Sequence, residues 1–384
     1  MIATTLLWLA SLQAHQDGAD SPFVEETVGP VEIGYGIAIG DVDGDGRPDI
    51  LLADKREFAW YRNPEWKRYV LARDLTEHDN VCIAARDLDG DGKVEVAVGG
   101  NWNPGDTETS GSVHYLVAPE DRTEPWTPIT LPHEPTVHRM RWVRVDEDGF
   151  ALVVAPLHGR GNRNAQGAGV RLLAYEPPED VHGPWPTTLL DDTLHLTHNL
   201  DRGTWSGSST DGVLYIGREG ALLLEKDGAG WMRTPLEGIE GGGEIRMGRY
   251  ADGTRFITTI TPFHGNRLVV YDRVDDGRFQ GTTLDDSFRG GHAIAVGDVI
   301  GEGGDEIVAG WRLPNPDGEV GLKLFQKGAD GTWRASWIDR GGMATEDVRL
   351  ADLDGDGLLE VIAAGRSTRN LKIYWNRPTG GARK

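Results

Sequence analysis

The sequence predicts an all-β chain folded as a seven-bladed β-propeller, its ring closed by an N-terminal outer strand pairing with the last blade. Three observations carry this. An aromatic residue is followed five positions later by an aliphatic one, seven times over. Acidic, glycine-rich loops recur just ahead of short apolar runs. The first aromatic copy has no blade before it, and the last blade has no such copy after it.

The aromatic copies read FVEETV from Phe23, WKRYVL from Trp66, WTPITL from Trp126, WPTTLL from Trp185, WMRTPL from Trp231, FQGTTL from Phe279 and WRASWI from Trp333. Their spacings run from 43 to 60 residues, which suits a four-stranded blade with loops of varying length. Between copies lie the other three strands. Blade 1 offers GYGIAIGD, PDILLAD and EFAWYRN; blade 6 offers GHAIAVGD, DEIVAGW and VGLKLFQ; blade 7 offers TEDVRLAD, LEVIAAG and LKIYWN. Blades 3 to 5 lack the acidic loop but keep strands such as VHRMRWV, GFALVVAP and VRLLAYE. Fifty-three glycines fit many tight turns, since glycine supplies positive φ without strain. An orphan outer strand at one end and its absence at the other argue for one ring over residues 21–384.

Composition excludes several classes. A net charge of −22 argues against nucleic acid and against anionic lipid, both of which demand a basic face. The single cysteine, Cys82, rules out an internal disulfide and reads as a small buried thiol on an inner strand. Residues 1–14, MIATTLLWLASLQA, followed by polar HQDGADS, resemble a signal peptide and predict a periplasmic or secreted protein. No later run approaches the ~20 apolar residues of a membrane span, so no membrane insertion is expected.

The loop DVDGDGRPD places Asp41, Asp43, Asp45 and Asp49 at positions 1, 3, 5 and 9; the same positions give Asp87, Asp89, Asp91 and Glu95, then Asp352, Asp354, Asp356 and Glu360. Carboxylates this close repel unless a cation sits among them, and an oxygen-only cage suits Ca²⁺. Three structural calcium loops are expected. A fourth, DVIGEGGDE, has Ile300 in place of a carboxylate and leaves Asp298, Glu302 and Glu306 as a poor set.

GDVDGDGRPDILLAD and its copies resemble the FG-GAP, or VCBS-type, repeats of integrin-like propellers. EPTVHRMRW, APLHGRGNRNAQGAGVRLLAYEPP, LDDTLHLTHNL, GREG and GGHAIAVGDVIGEGGDEIVAGWR resemble the propeller portion of fungal aldos-2-ulose dehydratase and its bacterial relatives. That resemblance implies β-elimination of water from a keto sugar such as an aldos-2-ulose or 1,5-anhydrofructose. The cupin modules joined to the fungal propeller have no counterpart in this sequence.

Functional groups should gather where inner strands begin and middle strands end, because both open on one end of the axial funnel. Inner-strand starts offer His78, His138, His195 or His198, Glu244, His292 and Asp347. Middle-strand ends offer Lys55, Asn101, His158, Arg218 with Glu219, His264, Arg312 and Arg366. His138 and His198 are assigned as base and acid, with Lys55 and Arg312 as enolate or hydroxyl clamps. His78, His158, Glu244, His264, His292 and Asp347 are candidates for substrate contact or for a Zn²⁺-like ion. Trp102 and Trp311 are weighed between sugar stacking and packing, and residues 158–169 between a lid and a surface loop. Two other functions compete with a dehydratase acting on a small carbohydrate. One is a polysaccharide lyase working beside a uronate; the other is a non-catalytic carbohydrate- or protein-binding propeller.

Overall fold

The computed structural model describes residues 22–377 apart from 148, 206, 207 and 229. The apolar leader, residues 1–14, lies outside the described residues. Among the described residues there are seven antiparallel four-stranded sheets and no helix. Six sheets use four consecutive strands. The last takes Thr345–Ala351, Glu360–Gly365 and Asn370–Asn376 and is completed by the first strand, Phe23–Pro30. Phe23 stands opposite Asn376 and Pro30 opposite Asn370.

Every aromatic copy marks an outer strand. Phe23, Trp231, Phe279 and Trp333 lie within theirs, and Trp66, Trp126 and Trp185 one or two residues ahead. The greasy runs are middle strands. Asp49–Ala53, Phe150–Pro156 and Glu360–Gly365 are buried at every position, because neighbouring blades cover both faces and no polar alternation is needed. The core is accordingly seven layers, each between adjacent sheets. Ile37, Ile50 and Leu52 of blade 1 pack on Ile362, Leu371 and Ile373 of blade 7, so the ring has no open seam. With burial satisfied between blades, the inner strands are left to carry polar groups along the axis.

The three acidic loops share one geometry. The first aspartate accepts the N–H groups of two glycines, as Asp41 does from Gly44 and Gly46, and those glycines sit at φ +82° and +84°, where a side chain would be strained. The oxygens that converge within 4.8 Å are those of Asp41, Asp43 and Asp45; of Asp87, Asp89 and Glu95; and of Asp352, Asp354 and Asp356. Three predicted ligands stand outside these trios. Asp49 is buried, its two oxygens taking the N–H groups of Val42 and Asn63, and burial pushes its carboxyl up to about 7. Glu360 accepts the Leu353 N–H, and Asp91 turns to Lys93. In the fourth loop Glu306 accepts from Val299 and Ile300.

One buried histidine away from the axis gives the fold an acid limit. His114, on Ser112–Val117, is 6% exposed. Its Nδ1 lies 3.2 Å from Thr130 Oγ1, while its Nε2 is buried without a partner. Burial pulls this imidazole down to about 4. The folded state therefore binds fewer protons than the unfolded chain below pH 6.5, so stability is full above that pH and falls as pH drops towards 4. The loss attributable to His114 is about 3 kcal/mol. Chemical denaturation at pH 7 and pH 4.5 should show a smaller pH difference in His114→Leu; an unchanged difference would exonerate this residue.

Candidate functional site

Four of the seven inner strands carry a β-bulge at the same place, their second residue. The register slips between Val137 and Arg139, Thr197 and Asn199, Gly291 and Ala293, and Thr345 and Asp347. The extra residues are His138, His198, His292 and Glu346. A bulge inserts one unpaired residue and re-aims its side chain, so each of these strands presents a further polar group at the start of the axial channel. Blade 5 supplies Glu244 from an unbulged strand, and the turn after the middle strand Arg255–Thr261 supplies His264.

The imidazoles are orientated by the next blade. His138 Nδ1–H donates to the His198 carbonyl (2.8 Å), His198 Nδ1–H to that of Gly243 (3.0 Å), and His292 Nδ1–H to that of Glu346 (2.6 Å). Each Nε2 is thereby left with its lone pair free. The His198 ring centroid lies 4.4 Å from those of His138 and His264 and 4.8 Å from that of His292. Ligand-type nitrogens of His198, His264 and His292 lie within 4.8 Å of one another, with His264 Nε2 only 2.6 Å from His198 Nε2.

Burial and neighbouring cations keep the cluster neutral. Desolvation comes first for His138, His198, His264 and His292, which all fall well below the ordinary imidazole range; Arg139, Arg312 and the other imidazoles push the same way. Glu244 goes up through burial, against the pull of Arg246. Its Oε2 accepts from Asn199 (2.6 Å). Its Oε1 lies 3.0 Å from His198 Nδ1 yet has no hydrogen bond, because that N–H goes to Gly243. Glu346 is clamped by Arg366 at 2.9 Å and Arg312 at 3.2 Å. Tyr35 O–H donates to Asp79 (3.2 Å) under the Arg366 guanidinium, and burial pushes its phenol up to about 12.

Three neutral imidazoles, His198 and His292 buried and His264 more open, with two Nδ1–H groups fixed on carbonyls are a donor set suited to Zn²⁺. His264 has an alternative: Arg312 Nη2 lies 3.4 Å from its Nδ1, which lets His264 Nε2–H donate to His198 Nε2. The cluster is thus satisfied with or without an ion.

The structure brings together His138, His198, His264, His292, Glu244 and Arg312, with Arg366 beside them. Other candidates fall elsewhere. Lys55 is half-buried, and its amine makes no ion pair among the described residues. His78 is exposed. His158 is half-buried, with an unpartnered Nδ1. Asp347 turns down the channel to the Ile37 N–H and Arg349. His195 pairs with Glu219 at the surface, which separates Glu219 from Arg218. Trp311 is core, between Phe288 and Trp337, whereas Trp102 lies 4.8 Å from the His138 ring. Residues 158–169 are pinned by buried Asn162, which donates to the carbonyls of Ala168 and His195. Glu346, Arg139, Asn199 and Tyr35 were not anticipated.

Fold and site together define a seven-bladed propeller with a polar, imidazole-lined axial mouth. Comparison with known proteins narrows the kinship. Residues 41–98 match an FG-GAP-like repeat, and residues 110–274 match the family described as aldos-2-ulose dehydratase, beta-propeller domain. A curated aldos-2-ulose dehydratase of Phanerodontia chrysosporium is 23% identical over 392 residues. The match takes in 90% of this chain, and the chain spans 39% of that protein's length. The chain is a propeller with FG-GAP-like repeats that resembles the propeller portion of that dehydratase. Solved structures agree on fold alone. Virginiamycin B lyase of Staphylococcus aureus has a TM-score of 0.56 at 11% identity, covering 92% of this chain and 98% of that one. A chain of the mitotic checkpoint complex has a TM-score of 0.58 at 12% identity, covering 97% and 98%.

Proposed function

We propose that the chain is a lyase of the dehydratase type, removing water by β-elimination from a small keto sugar such as an aldos-2-ulose or 1,5-anhydrofructose. The observation that carries this reading is the set of four bulge-aimed or turn-borne imidazoles, kept neutral by burial, beside an arginine-clamped carboxylate. The resemblance to the dehydratase propeller supports it.

His138 is the base. Its Nδ1–H is committed to a carbonyl, so Nε2 takes the proton from the carbon beside the substrate carbonyl, and Trp102 backs the ring. Arg312 and Arg366 donate to the oxygen on which negative charge develops, where fixed donors count most. The departing hydroxyl leaves as water with the proton returned from the His138 imidazolium. His198, His264 and His292 hold a Zn²⁺-like ion, which when bound supplies Lewis-acid polarisation of the carbonyl. This moves His198 from acid to ligand and replaces Lys55 as a clamp with Arg366. Structural Ca²⁺ is proposed for the three acidic loops.

Metal-replete protein incubated with 1,5-anhydrofructose, glucosone, 3-keto-glycosides and uronate polymers should produce the ultraviolet absorbance of a conjugated enone from a keto sugar. Silence across that panel from folded protein would leave a non-catalytic binding propeller.

A further inference from the structure

The opposite end of the axial channel is a different environment. A cavity of about 360 Å³ lies between the C-terminal halves of the inner strands, away from the imidazoles at their N-terminal ends. Blades 1 and 6 contribute only apolar residues to it, such as Ala38 and Ala295, and these small side chains leave the space open. The other blades contribute Arg86, Arg141, Arg202, Arg246 and Arg349, with Asp201 as the one lining carboxylate.

The charges do not balance. Asp201 is shared, 3.5 Å from Arg141 and 3.2 Å from Arg246. Arg349 is paired with Asp347 at 2.6 Å and Arg86 with Asp211 at 2.6 Å. Arg202, exposed at the rim, has no ion pair among the described residues. With Glu244 also paired to Arg246, five guanidiniums face four carboxylates, one positive charge over, in a chain whose net charge is −22. Arg246 is buried, and its Nη2 has no hydrogen-bond acceptor; the nearest carboxylate oxygen, on Glu244, lies at 3.6 Å. Burial, followed by neighbouring Arg349, pulls Arg141 down to about 9. A group of like charges held this close in a low-dielectric channel is relieved by an anion.

We infer that this cavity is a second ligand site, one that takes a small oxyanion, either free phosphate or sulfate or the phosphate group of a small ester. Guanidinium forks match such oxygens bidentately. The volume sits at the low end of the roughly 300–1,000 Å³ range of ligand sites, which suits a small molecule rather than a polymer. An anion would neutralise the surplus.

Calorimetric titration of the full chain with inorganic phosphate and, separately, with glucose 6-phosphate tests this at constant ionic strength. One saturable site per chain is expected for at least one of them, the tighter naming the source, with sulfate competing. Arg202→Gln, at an exposed position that leaves the fold alone, should weaken binding about tenfold by removing one charge-assisted contact; Arg349→Gln should do the same if it folds. His264→Ala, at the other mouth, should leave affinity unchanged. Absence of saturable binding by either phosphate, an unaltered affinity in Arg202→Gln, or loss of binding in His264→Ala would each overturn the inference.

Discussion

Replacing His198 with alanine is expected to lower keto-sugar turnover by about 10²–10⁴-fold and to leave the purified protein with little transition metal. His198 is the hub of the cluster: its ring neighbours His138, His264 and His292, and its carbonyl orientates the proposed base, His138. The carbonyl survives in the variant, so His138 keeps its tautomer and the loss reports the imidazole itself. The side chain is 1% exposed, so a folding defect must be separated from a chemical one. His264→Ala does that, because His264 is the most open of the three proposed ligands and should show the same metal and turnover loss at wild-type melting temperature. The wild-type pH profile gives an independent reading. All four imidazoles are held below their ordinary range, so kcat/KM should show no acid limb at pH 6.5 and should fall only at lower pH. Full turnover in His198→Ala would remove the histidine cluster from the mechanism.

The ring was legible because its signals are repetitive. Outer-strand aromatics and doubly covered middle strands recur in every blade, and burial between blades forces both patterns. The site was legible only in part, and the bulges explain the boundary. Simple alternation along TEDVRLAD puts Asp347 and Arg349 on one face, and those two do bond to each other. The bulge at Glu346 adds a second inward residue that no period-two reading produces, and Glu346 is the carboxylate that Arg312 and Arg366 hold. Asn199 and Arg139 were missed for the same reason, each following a bulged histidine. A signal was present: Thr-His, Gly-His and Thr-Glu stand at one position in blades 4, 6 and 7. Trp311, weighed between stacking and packing, packs: a fully buried indole between Phe288 and Trp337 belongs to the layer between blades. The arginine cavity escaped because its groups come from the far halves of five strands, where each arginine alone reads as a solvated end.

Calcium removal should lower the melting temperature by about 10 °C or more. One site at a hundredfold excess of ligand over Kd contributes about 2.7 kcal/mol, so three proposed loops reach roughly 8 kcal/mol. Their placement concentrates the effect. The complete loops belong to blades 7, 1 and 2, the stretch of ring where the first strand meets the last. Asn63 Nδ2 donates to the Leu353 carbonyl (2.7 Å), tying blade 1 to the loop of blade 7. Arg122 donates to the carbonyls of Val42 (3.3 Å) and Val94 (3.0 Å), tying the loops of blades 1 and 2. Without an ion the clustered carboxylates retain only partial counter-charges, such as Arg62 on Asp43 (2.6 Å) and Arg377 on Asp354 (2.7 Å). Their repulsion then loosens the turns that carry these inter-blade bonds. Hydrogen exchange in chelator should accordingly quicken first in Phe23–Pro30 and Asn370–Asn376, the pair of strands that closes the ring, while blades 3 to 5 keep their protection. Asp89→Asn should remove about a third of the calcium-dependent rise. Equal melting temperatures in calcium and in chelator would reduce the loops to solvated turns and leave ring closure to the packing of Ile37, Ile50 and Leu52 against blade 7.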